Sequence, residues 1–191
     1  MELRPLFLAV VALFHLTEFT FCVCFHEKEI EFRAFLLTPV PFGGYSIAII
    51  AALVEFWLWR SLALPPLPLL AWLGTALALA GWALRTAALF TAQSNFTHLV
   101  ASYKETSHRL VRHGVYALCR HPGYVGWFLW SVSSQLLLGN VVCFLAYGYV
   151  SWRFFKGRIP HEEEMLLRFF GEDYASYARA VPCGIPCISR L

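Results

Sequence analysis

The feature that most constrains this chain is a succession of long apolar segments, because a spanning helix needs about 20 predominantly apolar residues and few other folds supply them repeatedly. Residues 6–25, 42–59 and 67–92 each meet that length. A fourth tract, 124–155, is long enough for two helices, and Gly139-Asn140 divides it with a turn signal. These segments predict an all-α integral membrane protein of about five transmembrane helices, the last two forming a short helical hairpin. Pro65, Pro66 and Pro68 cannot continue a helix and predict a tight link between the second and third spans. Glu18 interrupts the first apolar stretch, which reads as a span rather than as a cleaved signal peptide.

Composition supports this reading. Of the 191 residues 59% are hydrophobic and only 14% charged, against roughly 25% charged in an ordinary soluble domain. The length suits one membrane domain over residues 1–191. A net charge of +3, scattered along the chain, gives no basic patch for nucleic acid, and none is expected as a partner. The six cysteines form no CxxC pair. Cys183 and Cys187 lack the further ligands of a closed zinc site, so no metal is expected.

Lys and Arg concentrate in two polar stretches. One holds Lys104, Arg109, Arg112 and Arg120; the other runs from Arg153 to the C-terminus. The positive-inside rule puts both in the cytosol. Residues 93–123 and 156–191 are thereby expected on one membrane face, where they can build a single site. In the second stretch Met165, Leu166, Phe169, Phe170, Tyr174 and Tyr177 fall close to one helix face. That pattern predicts a C-terminal helix over 158–180, with Pro160 in its first turn, Gly171 as an interruption or cap, and its aromatics at headgroup depth.

The residues suited to chemistry lie in those two stretches. Arg158 and Glu162 stand at i and i+4, an ion pair on one helix face. A cation beside a carboxylate at the bilayer edge is suited to gripping an anionic head group whose remainder stays in lipid. Pro122 imposes extended geometry on His121 and suits a helix start, so the imidazole is presented at a fixed point. Within the apolar segments, charges are costly and usually pair. Arg85 is expected to form an ion pair with Glu55 or Glu18.

The array Gly114-x-Tyr116-x3-Arg120-His121-Pro122-x-Tyr124-x-Gly126, followed by Arg158-x3-Glu162-Glu163-x2-Leu166-x2-Phe169-x-Gly171-x2-Tyr174-x2-Tyr177-x3-Val181-Pro182, resembles the isoprenylcysteine carboxyl methyltransferase family. Ser94-Asn95-Phe96-x-His98 and Trp152-Arg153-Phe154-Phe155 are similar to its eukaryotic members, and the resemblance runs through nearly all of the chain. It implies an enzyme of the endoplasmic reticulum membrane that transfers a methyl group from S-adenosylmethionine to the carboxylate of a C-terminal prenylated cysteine of CaaX-processed proteins. It further implies a cytosolic cofactor pocket closed by the C-terminal helix. The residues implied to contact the cofactor are Ala101, His108, Arg109, Leu110, Val111, Tyr116, His121, Pro122, Gly123, Tyr124 and Glu162, with Arg158 holding the substrate and Arg158 and Glu162 carrying catalysis. Two positions depart from the family pattern. Ala101 stands where Gln is frequent, which leaves backbone or small-residue packing, and Gly123 stands where Ser is common, which leaves the backbone.

Three other readings compete. A phospholipid N-methyltransferase of similar architecture would need a base and would gain nothing from Arg158. A non-catalytic membrane scaffold would leave the same residues merely interfacial. A nicotinamide-dependent reductase would need a Gly-rich nucleotide loop, which the sequence lacks.

Overall fold

A computed structural model describes residues 3–26, 44–62, 68–104 and 106–188. The link containing Pro65 and Pro66 lies outside the described residues. Six α-helices follow in chain order: α1 (Leu3–Phe25), α2 (Gly44–Ser61), α3 (Pro68–Ala92), α4 (Pro122–Leu138), α5 (Val141–Phe170) and α6 (Glu172–Ala180). Short 3₁₀ turns at Gln93–Asn95 and Gly114–Ala117 lie between α3 and α4. No strand occurs among the described residues.

Two described segments, Pro5–Phe25 and Pro68–Asn95, are long and apolar enough to cross a bilayer by themselves. α4 has 17 residues, about 25 Å at 1.5 Å per residue, and is the short arm of the expected hairpin. Gly139 ends it in the left-handed region at φ 77°, and Asn140 leads into α5.

The helices are held by two kinds of contact. α3 packs along α4 through a stripe of small residues, Ala71, Gly74, Ala78, Gly81, Ala88 and Ala92, which are buried and spaced to recur on one face. At the crossing the backbones nearly touch: a Cβ on Gly81 would lie 2.5 Å from the Trp130 amide nitrogen, and one on Gly126 would lie 2.5 Å from that of Arg85. Such approach is the usual means of association where lipid removes the hydrophobic drive between helices. Around this seam Phe7, Val10 and Phe14 of α1 join Ala52, Phe56, Trp130 and Leu137 in one core, and Phe14 stacks on Trp130. The opposite faces of α1, α2 and α5 expose Leu8, Leu16, Ile50, Trp57, Leu145 and Val150.

The second kind of contact is polar. Arg85 pairs with Glu18 through two donors, at 2.6 and 3.1 Å, both side chains being almost fully buried. Glu55, the other expected partner, instead accepts the backbone amides of Val142 and Cys143 at 2.8 and 2.6 Å. It thereby caps α5, whose first amides have no carbonyl of their own helix to bond.

The C-terminal part departs from the expected helix over 158–180. α5 continues from the hairpin to Phe170 as one 30-residue helix with Pro160 in its interior. Pro160 therefore does not start a helix; it removes a single amide donor from a helix already fixed by packing on both sides of it. Gly171, at φ 55°, turns the chain into α6. The face bearing Met165, Leu166, Phe169, Phe170, Tyr174 and Tyr177 is turned to a cavity that all six border.

Candidate active site

The loop between α3 and α4 and the C-terminal segment meet at Arg120. This residue and His121 follow an irregular stretch, and their amides bond the carbonyls of Pro182 and Cys183 at 2.9 and 3.2 Å, so the C-terminal segment lies alongside the entrance to α4. The Arg120 side chain turns inward. Its Nε donates to Glu163 Oε1 at 2.8 Å, and its Nη1 donates to the carbonyls of Ala178 and Val181 at the end of α6. His121 Nε2 lies 3.0 Å from the same carboxylate oxygen. Burial disfavours the Glu163 carboxylate, but the hydrogen bond from His121, with Arg120 behind it, outweighs that and holds its pKa below the ordinary value. Burial likewise opposes the Arg120 charge, and Glu163 overcomes it. Cys183, rather than pairing with Cys187, places its thiol within 4.8 Å of the His121 ring and the Glu163 carboxylate. Arg120 already neutralises that carboxylate, at 2.6 Å.

This knot fixes one wall of an open cavity of about 960 Å³, counting the part open to solvent. Every residue expected to contact a cofactor borders it: Ala101, His108, Arg109, Leu110 and Val111 from the loop, Tyr116 from the 3₁₀ turn, His121 to Tyr124 at the start of α4, and Glu162 on α5. Local bonds hold these segments. The Arg109 amide donates to Asn95 Oδ1 at 2.6 Å, and the Lys104 ammonium donates to the Phe169 carbonyl at 2.7 Å. The Tyr177 hydroxyl donates to the Tyr116 carbonyl at 2.6 Å, and burial pushes that phenol up to about 12, so it remains a neutral donor. Leu110, Leu166 and Phe170 pack with Tyr174 and Tyr177 into an apolar cluster over the cavity.

Glu162 and Glu163 are adjacent in sequence but point differently. Glu163 is 1% exposed and bound to Arg120, whereas the Glu162 side chain is 28% exposed and borders the cavity. Arg158 does not line this cavity. It borders a second one, shaped by Phe14, His15, Trp127, Phe154 and Phe155 and about 790 Å³ with its open part. Tyr124, Phe96 and Thr97 border both. The expected direct pairing of Arg158 with Glu162 is replaced by a bridge: Arg158 Nε donates to the Tyr124 hydroxyl at 2.8 Å, and that hydroxyl donates to Glu162 Oε2. The hydroxyl accepts from a cation and donates to an anion, so it bonds both, and the two ionic side chains need not meet.

Several residues of this arrangement carried no assigned role in the sequence. Phe96, Thr97 and His98 form the partition between the cavities, and Asn95 orders the loop. Their signal was position, immediately after the last turn of α3. Glu163 is adjacent to Glu162, but the buried series Phe155, Ile159, Glu163 at four-residue steps marks it as inward facing and in need of a cation.

An all-helical bundle with two adjoining cavities, one bordered by Glu162 and one aromatic, invites comparison with known proteins. The family model described as the isoprenylcysteine carboxyl methyltransferase family matches residues 72–168. A protein-S-isoprenylcysteine O-methyltransferase of Tribolium castaneum is 43% identical over 185 residues, 95% of this chain and 65% of that protein. The Mus musculus protein of the same description is 41% identical over 95% of this chain and 64% of its own length. One from Arabidopsis thaliana, the B form, is 34% identical and is covered over 94% of its length. The solved structure of a eukaryotic intramembrane Ras methyltransferase, isoprenylcysteine carboxyl methyltransferase, aligns with a TM-score of 0.92 at 42% identity, over 98% of this chain and 67% of that one. The chain thus spans just under two thirds of the length of the animal relatives. With the family model matching half of its length and relatives this similar, the chain belongs to the isoprenylcysteine carboxyl methyltransferase family.

Proposed function

We propose that this chain transfers a methyl group from S-adenosylmethionine to the C-terminal carboxylate of a prenylated cysteine, at the cytosolic face of the endoplasmic reticulum membrane. The observation that carries the proposal is that the two cavities adjoin at Tyr124, which borders both and accepts from Arg158 on the border of the second. Membership of the family supports the acceptor, and the aromatic cavity suits a lipid-borne chain.

The first cavity, bordered by Glu162, fits S-adenosylmethionine. Its apolar wall of Leu110, Val111, Leu166 and Phe169 suits a nucleoside, and the Glu162 carboxylate on its border suits a cationic centre. Gly123 leaves the wall open, since a Cβ there would press to 3.0 Å from the Phe96 ring. We assign residues 93–123 and 156–191 as the cofactor-binding segments, with Ala101, His108, Arg109, Leu110, Val111, Tyr116, His121, Pro122, Gly123, Tyr124 and Glu162 as its contacts. When bound, S-adenosylmethionine supplies a methyl group activated on a sulfonium.

The protein's part is alignment and exclusion of water, because a carboxylate is already a nucleophile and needs no general base. Arg158 presents a planar fork to the carboxylate, pinned at Nε by Tyr124 and at Nη2 by the His98 carbonyl. Its Nη1 engages no acceptor among the described residues. Tyr124 holds Arg158 and Glu162 in register, and stacking between Phe155 and His121 holds the Tyr124 ring.

The test is methyl transfer by the detergent-solubilised full chain, offered N-acetyl-S-farnesylcysteine or phosphatidylethanolamine. Methylation of the prenylcysteine alone is expected. Methylation of the phospholipid amine would replace the acceptor, and absence of S-adenosylmethionine binding by calorimetry would favour a scaffold.

A further inference from the structure

Two of the Arg158 donors are committed to protein acceptors of different character. Tyr124 is a side chain on a rigid helix, but the carbonyl of His98 belongs to the irregular segment that follows α3. A loop carbonyl can orient a guanidinium only if the loop itself is fixed. What fixes it is an interaction from the far side: the His98 ring nitrogen Nε2 lies 2.9 Å from Glu18 Oε2 on α1. Glu18, 1% exposed, is in turn held by both donors of Arg85. Arg85 also stands 4.9 Å from the centre of the Phe96 ring, and Phe21 of α1 meets Phe96 edge to face. The partition 96–98 is therefore clamped by α1 and α3 on one side and offers its carbonyl to Arg158 on the other.

We propose that Glu18, acting through His98, is a positioning residue for Arg158: the α1 carboxylate holds the His98 ring, and the His98 carbonyl sets the direction of the guanidinium. The inference rests on the reading that Arg158 grips the substrate carboxylate. It assigns no proton transfer to His98, whose Nε2 is engaged by Glu18. It gives α1 a part in the reaction, although none of its described residues borders the cavity assigned to the cofactor.

The experiment is a double-mutant cycle on the full chain in detergent, measured with S-adenosylmethionine and N-acetyl-S-farnesylcysteine. His98→Ala is expected to lower kcat/KM for the prenylcysteine about tenfold with the KM for S-adenosylmethionine within about twofold, and His98→Gln, whose amide can still donate to Glu18, to recover most of the loss. On an Arg158→Lys background, which lacks the fork, His98→Ala is expected to cost less than about twofold. Equal losses on both backgrounds, or an equal rise in the KM for S-adenosylmethionine, would overturn the proposal, because His98 would then be general support. If Arg158→Lys alone leaves turnover unchanged, the carboxylate-grip reading fails, and the inference with it. Should His98→Ala not fold, His98→Phe keeps a ring against Phe21 and Phe96 while removing the bond to Glu18, and the same background-dependent loss is expected.

Discussion

The guanidinium of Arg120 lies 2.6 Å from the carboxylate of Glu163, with each side chain 1% exposed and the two residues 43 positions apart in the chain. Removing one member of such a pair leaves an uncompensated buried charge, so Glu163→Ala is expected to cost about 3–5 kcal/mol. Thermal unfolding in detergent measures this, and a shift within error of wild type would show that the pair does not hold the C-terminal segment in place. The folded pKa of Glu163 lies below its ordinary 4.5, so its contribution is fully present above that value. It is lost as pH falls further, through the lowered folded value. Glu163→Gln should flatten the acid limb of the stability profile.

Gly126→Ala tests the seam between α3 and α4. The added methyl would stand 2.5 Å from the Arg85 amide, and backbone on both sides leaves no flexible group to move aside. The helices must separate, at a cost of about 1–3 kcal/mol or more. Gly148 on α5 has no atom within 4 Å of such a methyl, and Gly148→Ala is expected to be neutral. Comparable melting temperatures for the two variants would contradict the close packing.

The parts legible in the sequence were those set by local pattern. Gly139-Asn140 marked the hairpin because a left-handed residue ends α4 there. The residues expected around the cofactor border one cavity, to which the loop before α4 and the C-terminal segment both contribute. What the sequence did not reveal was decided by long-range packing. Pro160 lies inside a helix because the packing of Phe155, Ile159 and Glu163 spans it. Arg85 chose Glu18 over Glu55 because α5 needed Glu55 for its unpaired amides. Arg158 and Glu162 are separated because Tyr124, 34 and 38 residues upstream, projects between them.

Tyr124→Phe removes that bridging hydroxyl and keeps the ring. Arg158 loses its Nε acceptor, and Glu162 loses a donor. Hydrogen bonds to charged groups are worth roughly 1.5–3 kcal/mol, so turnover of the prenylcysteine is expected to fall about tenfold or more. The affinity for S-adenosylmethionine should change far less, since the ring still stacks on His121. Turnover at the wild-type rate would mean that the bridge does not align Arg158.

Glu162→Ala should have the opposite signature. Its side chain is partly desolvated and lies 4.0 Å from His121 Nδ1 on the border of the first cavity, where a carboxylate interacts with a cation more strongly than in bulk water. Its removal is expected to weaken S-adenosylmethionine binding by about 10–100-fold, measured by calorimetry, with Glu162→Gln intermediate because the amide keeps an acceptor but not the charge. The alanine variant also frees the Tyr124 hydroxyl, so its turnover falls even at saturating cofactor. That residual defect should be smaller than the Tyr124→Phe defect, because the hydroxyl still accepts from Arg158 Nε. An unchanged cofactor affinity in Glu162→Ala would remove Glu162 from the cofactor site and leave it only the role of holding Tyr124.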